Sequence, residues 1–254
     1  MTVLCTLTTH PAHPVLHTVR RLLCFTLALL GAICLTAGTA AAAELDDVVA
    51  TLEQGYAILE DVQASFVQRA AIASLKREEK GWGEMFIKRP RKAAAMFRFD
   101  YVKPQKQQII SNGKTLWFFI PDNKQVMVTN LNGLMENSGV SMNYLTGLGH
   151  VTRDFSISFA GDGKDSKGNY VLQLTPKKKS RLLARLQLTI KAEAVEGFLR
   201  EGKAVDPFPV LSSVIRDQSG NRTTMEFSKT RVNKGLSSAL FQFQVPPGID
   251  IIKQ

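Results

Sequence analysis

The sequence predicts a mainly β protein, in which most strands form one antiparallel meander after a single N-terminal helix. Short segments beyond residue 60 alternate apolar and polar residues with a period of two, which is typical of strands covered on one face. Tight turns rich in Gly, Asn, Asp and Pro separate these segments, as at residues 111–114, 121–124 and 219–221. Few connections are long enough for the crossovers that parallel strands need, so neighbouring strands are predicted to run antiparallel.

Residues 1–43 are predicted to form a secretory signal peptide that is cleaved from the mature protein. Arg20 and Arg21 supply its positive start, residues 22–37 form an uncharged apolar run, and small residues at 41–43 supply a cleavage site. The apolar run has about 16 residues, whereas a helix that spans a bilayer needs about 20. An uncleaved membrane anchor is the alternative.

Cleavage would leave residues 44–254 as a single domain without cysteine. The three cysteines all lie in the leader, and neither Cys24 nor Cys34 follows the short Leu/Ala/Gly motif of a lipoprotein signal. The mature protein is therefore expected to be soluble in the periplasm, and its core rather than disulfides must stabilise it.

The mature chain is predicted to be basic, since loss of Arg20 and Arg21 lowers the formal net charge only from +10 to +8. The basic residues are scattered over loops and no recognition helix stands out, so nucleic acid is not expected as a partner. Anionic lipid head groups or acidic protein surfaces fit an exported protein better. Simple solvation of the loops is an equally good explanation of this charge.

Residues 44–62 are predicted to form the N-terminal helix. Apolar residues recur at steps of three and four from Leu45 to Leu59, and acidic residues occupy the first turn. Residues 64–68 could extend this helix or begin a strand, and we favour a strand that begins near Val62.

Alternating segments predict the strands that follow. They centre on residues 97–101, 109–110, 115–120, 125–131, 155–159, 170–174, 186–190, 225–227 and 241–245. The strongest turn signal is the Asn112-Gly113 pair, which is flanked by apolar runs and predicts a hairpin. Residues 131–151 break the pattern because they are rich in Gly, Asn and Ser, and they are predicted to form short helices or a loop.

Residues typical of catalysis are scarce in the mature chain. His150 is its only imidazole, and no G-x-S-x-G motif supports a serine nucleophile. Clustered metal ligands are missing, and the Gly81-Trp82-Gly83 sequence is explained by backbone flexibility better than by dinucleotide binding. We therefore predict no enzyme, no catalytic residue, no metal and no cofactor. A hydrolase that uses His150 stays as an alternative.

One segment carries more apolar side chains than a sheet exposed on one face can accommodate. Leu116, Phe118 and Ile120 alternate with Trp117 and Phe119, so both faces of this strand are apolar. Both faces must then be covered, either by helices or by a ligand. An ordinary core explains most such residues, whereas the number of aromatic and methionine side chains favours an adaptable apolar binding surface.

Several segments together resemble a known family along nearly the whole mature chain. The sequence GWGEMFIKRP at residues 81–90 is similar to the G-x-G-x-(apolar)₃-K-R-P strand of the outer-membrane lipoprotein carrier (LolA) family. IISNGKTLWFF at residues 109–119 resembles the (I/V)-S-D-G-K-T-L-W segment of that family, and ASFVQ at residues 64–68 resembles its A-S-F-x-Q. LTPK at residues 174–177 and FQFQVPPG at residues 241–248 also fit in the same order.

The resemblance implies an incomplete antiparallel β-barrel closed by the N-terminal helix and short lid helices around an apolar cavity. It also implies a periplasmic carrier, expected to be a monomer, that binds the acyl chains of lipoproteins. The implied partners are these lipoproteins, an inner-membrane lipoprotein-releasing ABC transporter and an outer-membrane lipoprotein acceptor. The alternative is a related periplasmic lipid-binding or envelope-stress-sensing module on the same fold with different lipid cargo. A sensor of this kind would usually carry a second domain after the barrel.

The resemblance also implies a gate. In that family the arginine of K-R-P lies inside the cavity and hydrogen-bonds backbone carbonyls of lid helices, which holds the empty form closed. This role would fall to Arg89, whose buried guanidinium would need such partners. The alternative is that Arg89 belongs to a basic run at residues 88–92 that faces water.

Candidate cavity residues follow from the same resemblance, although a period of two leaves open which face of each strand is concave. The candidates are Phe66, Phe86, Phe97, Phe99, Trp117, Phe119, Met142 and Leu145. The chain departs from the family pattern at residues 192–208, which look like an insertion that could form a short helix, and in a lid without the expected proline.

Overall fold

A computed structural model describes residues 43–90, 94–131, 151–180 and 183–253 of the chain. Its first helix, α1, spans Leu45–Ile58. The backbone N–H of Glu44 donates to Asp47 Oδ2 at 3.1 Å, which caps this helix at its N-terminus. The helix ends four residues earlier than predicted because Leu59 adopts an extended conformation. The first strand then begins at Asp61, so residues 64–68 belong to the strand, as favoured from the sequence.

Twelve strands and two further helices follow α1 in the described residues. The strands are β1 (Asp61–Ile72), β2 (Arg77–Lys88), β3 (Met96–Lys103), β4 (Gln107–Ser111), β5 (Thr115–Ile120), β6 (Gln125–Asn130), β7 (Phe155–Lys164), β8 (Tyr170–Pro176), β9 (Arg185–Ile190), β10 (Val210–Arg216), β11 (Arg222–Val232) and β12 (Asp250–Lys253). The helices are α2 (Val151–Asp154) and α3 (Ala192–Glu201). Helix α3 confirms the short helix predicted within residues 192–208.

The strands form one sheet in the order β12-β6-β5-β4-β3-β2-β1-β11-β10-β9-β8-β7. Strands β1 to β6 are one meander and β7 to β11 are a second, and the antiparallel pair β1–β11 joins them. In that pair, Val62 lies opposite Val232 and Phe66 lies opposite Phe227. Strands β12 and β7 form the two edges of the sheet, which confirms the predicted incomplete barrel.

The predicted hairpin at Asn112 is confirmed between β4 and β5. Asn112 Oδ1 accepts hydrogen bonds from the backbone N–H groups of Lys114 at 3.0 Å and Thr115 at 2.9 Å. Gly113 has a φ of +87°, a left-handed conformation that glycine adopts without steric cost. The turn residues therefore determine where β4 ends and β5 begins.

One predicted strand is wrong. Residues 241–245 alternate apolar and polar side chains, but they form the end of a 3₁₀ turn (Ser238–Phe241) and an irregular stretch. Their alternation has another cause, because Phe241 is fully buried and Phe243 packs on aromatic rings of the sheet. The last strand is instead β12, which pairs with β6 in parallel, so the sheet is antiparallel except for this pair.

The main core lies on one face of the sheet, which we call the inner face. It is the face that carries Phe66 of β1, Met85 of β2 and Phe99 of β3. Helix α1 covers it with Leu52 and Tyr56, which belong to the same buried cluster. The opposite side of the sheet is called the outer face below.

Within the described ranges, no helix has both the length and the apolar composition needed to cross a membrane. The same ranges contain no group of three or more His, Cys, Asp or Glu residues placed to hold a metal ion.

Candidate binding face

The inner face is apolar across nearly the full width of the sheet. Cross-strand partners in an antiparallel sheet share a face, so the register aligns Ala64, Met85 and Phe99 across β1, β2 and β3. The buried apolar residues of this face are Val62, Ala64, Phe66, Met85, Ile87, Phe97, Phe99, Phe155, Tyr170, Leu172, Leu174, Leu186, Leu188, Ile190, Val210 and Met225. A continuous surface of this kind suits an apolar ligand as well as it suits a covering helix.

An aromatic cluster occupies the centre of the inner face. The ring of Phe66 meets that of Phe99 edge to face, with centroids 5.8 Å apart, and that of Tyr101 in the same manner at 4.9 Å. Phe97 packs on Phe99 at 6.1 Å. The structure thus brings together three predicted cavity residues, Phe66, Phe97 and Phe99.

The inner face becomes polar towards the β1–β2 turn. The hydroxyl of Tyr101 donates to Gln68 Oε1 at 2.7 Å, and burial raises the pKa of Tyr101 to about 12. Gln107 of β4 lies directly opposite Tyr101. These polar groups border a cavity of about 660 Å³.

Arg89 lies at the C-terminal end of α1. Its Nη1 donates to the carbonyl oxygen of Leu59 at 3.5 Å, which is the outer limit of a hydrogen bond. Its Nε is buried and has no hydrogen-bond partner in the described residues. Burial lowers the pKa of Arg89 and raises the pKa of Tyr56. The electrostatic interaction between the two groups partly opposes both pKa shifts. The guanidinium of Arg89 therefore contacts the end of α1 through one long hydrogen bond. The role of Arg89 as a gate stays a prediction.

Three other predicted cavity residues lie on the outer face. Phe86 lies opposite Arg98, while Trp117 and Phe119 occupy the face opposite to that of Leu116 and Phe118. The structure therefore does not bring this group together with the cluster around Phe66. Met142, Leu145 and the alternative catalytic residue His150 lie outside the described residues.

A C-terminal segment, residues 233–249, covers the outer face over these aromatic side chains. The ring of Phe243 packs on Phe119 with centroids 5.1 Å apart and on Trp117 at 6.3 Å. Arg98 Nη1 donates to the carbonyl oxygen of Leu240 at 3.2 Å, and Lys88 Nζ donates to that of Leu236 at 2.6 Å. This segment thus covers Trp117 and Phe119, the aromatic side chains that β5 places on the outer face.

Asp61 and Asn233 anchor the start of the C-terminal segment. The buried carboxylate of Asp61 accepts hydrogen bonds from the backbone N–H groups of Lys234 at 2.9 Å, Gly235 at 2.9 Å and Leu236 at 3.1 Å. Asn233 Oδ1 accepts from the N–H of Glu60 at 2.8 Å. Neither residue was predicted: Asp61 has no local signal, whereas the sequence Asn233-Lys234-Gly235, with left-handed backbone at Asn233 and Gly235, carries a turn signal that could have identified Asn233.

The two glycines of the G-x-G sequence are explained by the close approach of a neighbouring strand, and not by the backbone flexibility that was predicted. Both lie inside β2, where β3 approaches closely. A β-carbon on Gly83 would overlap the carbonyl oxygen of Asp100, and one on Gly81 would lie 2.9 Å from that of Lys103. The same two positions share a face with Met85 and Ile87. The spacing of the glycines places Met85 on their face and Phe86 on the other, and the buried core identifies the face of Met85 as the inner one.

The sequence matches a known family over most of its length. Residues 58–244 match the sequence model of the family described as outer membrane lipoprotein carrier protein LolA. An outer-membrane lipoprotein carrier protein of Azotobacter vinelandii is 30% identical over 192 residues, which cover 75% of this chain and 81% of the relative. The protein of that name from Chromobacterium violaceum is 29% identical over 224 residues, which cover 88% of this chain and 96% of the relative.

A solved structure of a LolA superfamily protein from Nitrosomonas europaea is also similar, with 14% identity and a TM-score of 0.39. That similarity covers 80% of this chain and 99% of the solved chain. Since the family match spans well over half of the sequence, the chain belongs to the family of outer membrane lipoprotein carrier proteins, LolA.

Proposed function

We propose that this protein is a periplasmic carrier that holds the acyl chains of lipoproteins on the inner face of its sheet. It receives them from an inner-membrane ABC transporter and delivers them to an outer-membrane acceptor. The observation that carries the proposal is the continuous apolar inner face beneath α1, which extends from Phe97 in β3 to Leu172 in β8. Membership of a lipoprotein carrier family supports the choice of cargo.

The energetics of acyl chains make such a carrier necessary. Each methylene costs about 0.8 kcal/mol to expose to water, so one long chain costs on the order of 10 kcal/mol. The inner face offers apolar side chains in place of water. Its methionine residues, such as Met85, adapt to a flexible ligand better than β-branched residues do, and Phe66 adds a large apolar surface.

Release of the cargo requires that the contacts between α1 and the sheet can loosen. Helix α1 supplies Leu52 and Tyr56 to the core that the acyl chains would have to enter. We propose that Arg89, through its contact with the carbonyl of Leu59, holds this helix closed when no cargo is bound. The length of that hydrogen bond suits a gate, because a contact of 3.5 Å is weak enough to break.

Replacement of Arg89 by leucine is expected to shift the protein towards an open form. Loss of a contact of about 1 kcal/mol changes the ratio of closed to open protein about fivefold. Binding of an apolar fluorescent probe should increase and transfer of cargo to the acceptor should slow by a similar factor. Arg185→Leu, an exposed position on the opposite face of β9, is the matched control. Unchanged transfer by the Arg89 variant would refute the gate.

The carrier function is tested by coexpression of the mature protein with a lipoprotein, followed by purification without detergent and native mass spectrometry. The expected result is a one-to-one complex of the protein with a triacylated lipoprotein. Free protein, or protein bound only to phospholipid, would exclude lipoproteins as the cargo. The second outcome would favour a lipid-binding module on the same fold.

A further inference from the structure

The inner face changes from apolar to polar along β1 and β3 over a distance of two residues. Phe66 and Phe99 form the aromatic cluster, and Gln68 and Tyr101 follow them on the same face. Because neighbouring residues on one face are about 7 Å apart along a strand, the polar groups directly adjoin the apolar floor. A ligand that spans both regions must therefore be amphiphilic.

The polar region of the inner face also contains a cavity. A cavity of about 660 Å³ opens here, at the β1–β2 turn, and Gly81 contributes only backbone to its wall. Gly81 lies opposite Gln68 and has no side chain, so the Tyr101 ring lies above it, 3.5 Å from the position that a β-carbon would take. The cavity is large enough for the glycerol and peptide groups of a lipid, and it is too polar for the chains themselves.

The amide groups in this cavity have free hydrogen-bonding capacity. Gln68 uses its Oε1 to accept from Tyr101, which leaves its Nε2 as a donor. In the described residues, the side-chain amide of Gln107 has no hydrogen-bond partner. Uncharged donors of this kind match the ester and amide carbonyls that join acyl chains to a head group.

Carboxylates engage the two arginines at the cavity wall. Arg77 is paired with Glu79 at 3.1 Å, and Glu78 lies 3.8 Å from Arg222. Lys80 is the remaining cation of the wall, so the wall together with Arg222 has one more positive charge than it has carboxylates. Recognition of a phosphate normally takes an arginine fork or several available cations, whereas both arginines here face carboxylates, so this wall does not favour an anionic phospholipid head group.

We propose that this polar end binds the uncharged ester and amide groups of a lipidated N-terminal cysteine. The acyl chains then extend from Gln68 and Tyr101 over Phe66 towards α1, in one defined orientation. The inference rests on the proposed carrier function and adds a reason why the cargo is a lipoprotein rather than a phospholipid.

The test compares three probes on the mature protein. N-phenylnaphthylamine reports binding to the apolar face alone, and a triacylated lipopeptide adds the ester and amide groups. Phosphatidylglycerol of the same chain length keeps the two ester groups but carries a phosphate in place of the amides. The variant is Gln68→Leu with Gln107→Leu. The matched control is Gln173→Leu with Gln187→Leu, an opposed pair of glutamines on the outer face of β8 and β9.

Wild-type protein is expected to bind the lipopeptide more tightly than phosphatidylglycerol. The Gln68/Gln107 variant should lose about tenfold in lipopeptide affinity, because two hydrogen bonds are removed, while its affinity for N-phenylnaphthylamine stays unchanged. The control pair should change neither affinity, and unchanged probe binding also shows that the variants fold. Equal lipopeptide affinity for variant and wild type would overturn the inference. Failure of wild-type protein to bind any of the three probes would instead overturn the carrier function.

Discussion

Replacement of Gly83 by alanine is expected to lower the free energy of unfolding by about 3 kcal/mol. The added β-carbon would overlap the carbonyl oxygen of Asp100, and backbone atoms cannot move aside as a flexible side chain can. Strands β2 and β3 would have to separate at the centre of the sheet, next to the aromatic cluster around Phe66. Urea unfolding followed by circular dichroism measures the loss.

Gly81→Ala provides a graded comparison on the same strand and face. Its β-carbon would lie 2.9 Å from the carbonyl oxygen of Lys103, a smaller overlap that a local shift can relieve. We expect a loss of about 1 kcal/mol at this position. Equal losses for Gly81 and Gly83, or a loss at Gly83 below about 1 kcal/mol, would contradict the close approach of β3 as the cause.

Replacement of Asp61 by alanine is expected to cost about 3 kcal/mol and to release the C-terminal segment from the outer face. Three backbone N–H groups, those of Lys234, Gly235 and Leu236, lose their common acceptor. The carboxylate is 2% exposed, so water cannot easily replace it. Trp117 contacts Phe243 of the released segment, and its fluorescence should therefore report the detachment.

Asp165→Ala is the matched control for Asp61. Asp165 also accepts hydrogen bonds from two backbone N–H groups, those of Lys167 and Asn169, but it lies in a surface turn that water can reach. We expect a loss of about 1 kcal/mol there and no change in tryptophan fluorescence. If Asp61→Ala left the fluorescence of Trp117 unchanged, Asp61 would not be the anchor of the C-terminal segment.

The strands were predictable because their signals are local. The period of two identified β3 and β8, and the Asn-Gly pair at Asn112 located a hairpin from four residues of sequence. Such signals depend on the neighbours of a residue along the chain, which a single sequence contains. The end of α1 and the start of β1 were likewise predicted to within a few residues.

The assignment of side chains to faces was not predictable at β5. Trp117 and Phe119 are as apolar as Leu116 and Phe118, so a period of two cannot distinguish the outer face from the inner one. What distinguishes them is the C-terminal segment, which returns from more than a hundred residues away to cover the outer face. The same long-range contact explains why residues 241–245 alternate without forming a strand.

The pair β1–β11 has a consequence for the order of folding. Val62 pairs with Val232, so the sheet can be joined at its centre only after almost the whole chain is available. The hairpins of β2 to β6 involve near neighbours and can form early, whereas closing so long a loop costs entropy and slows folding. Until β11 arrives, β1 presents an open edge of unpaired N–H and C=O groups, which invites association with other chains. A strand at the centre of the native sheet is therefore an exposed edge in the newly made chain.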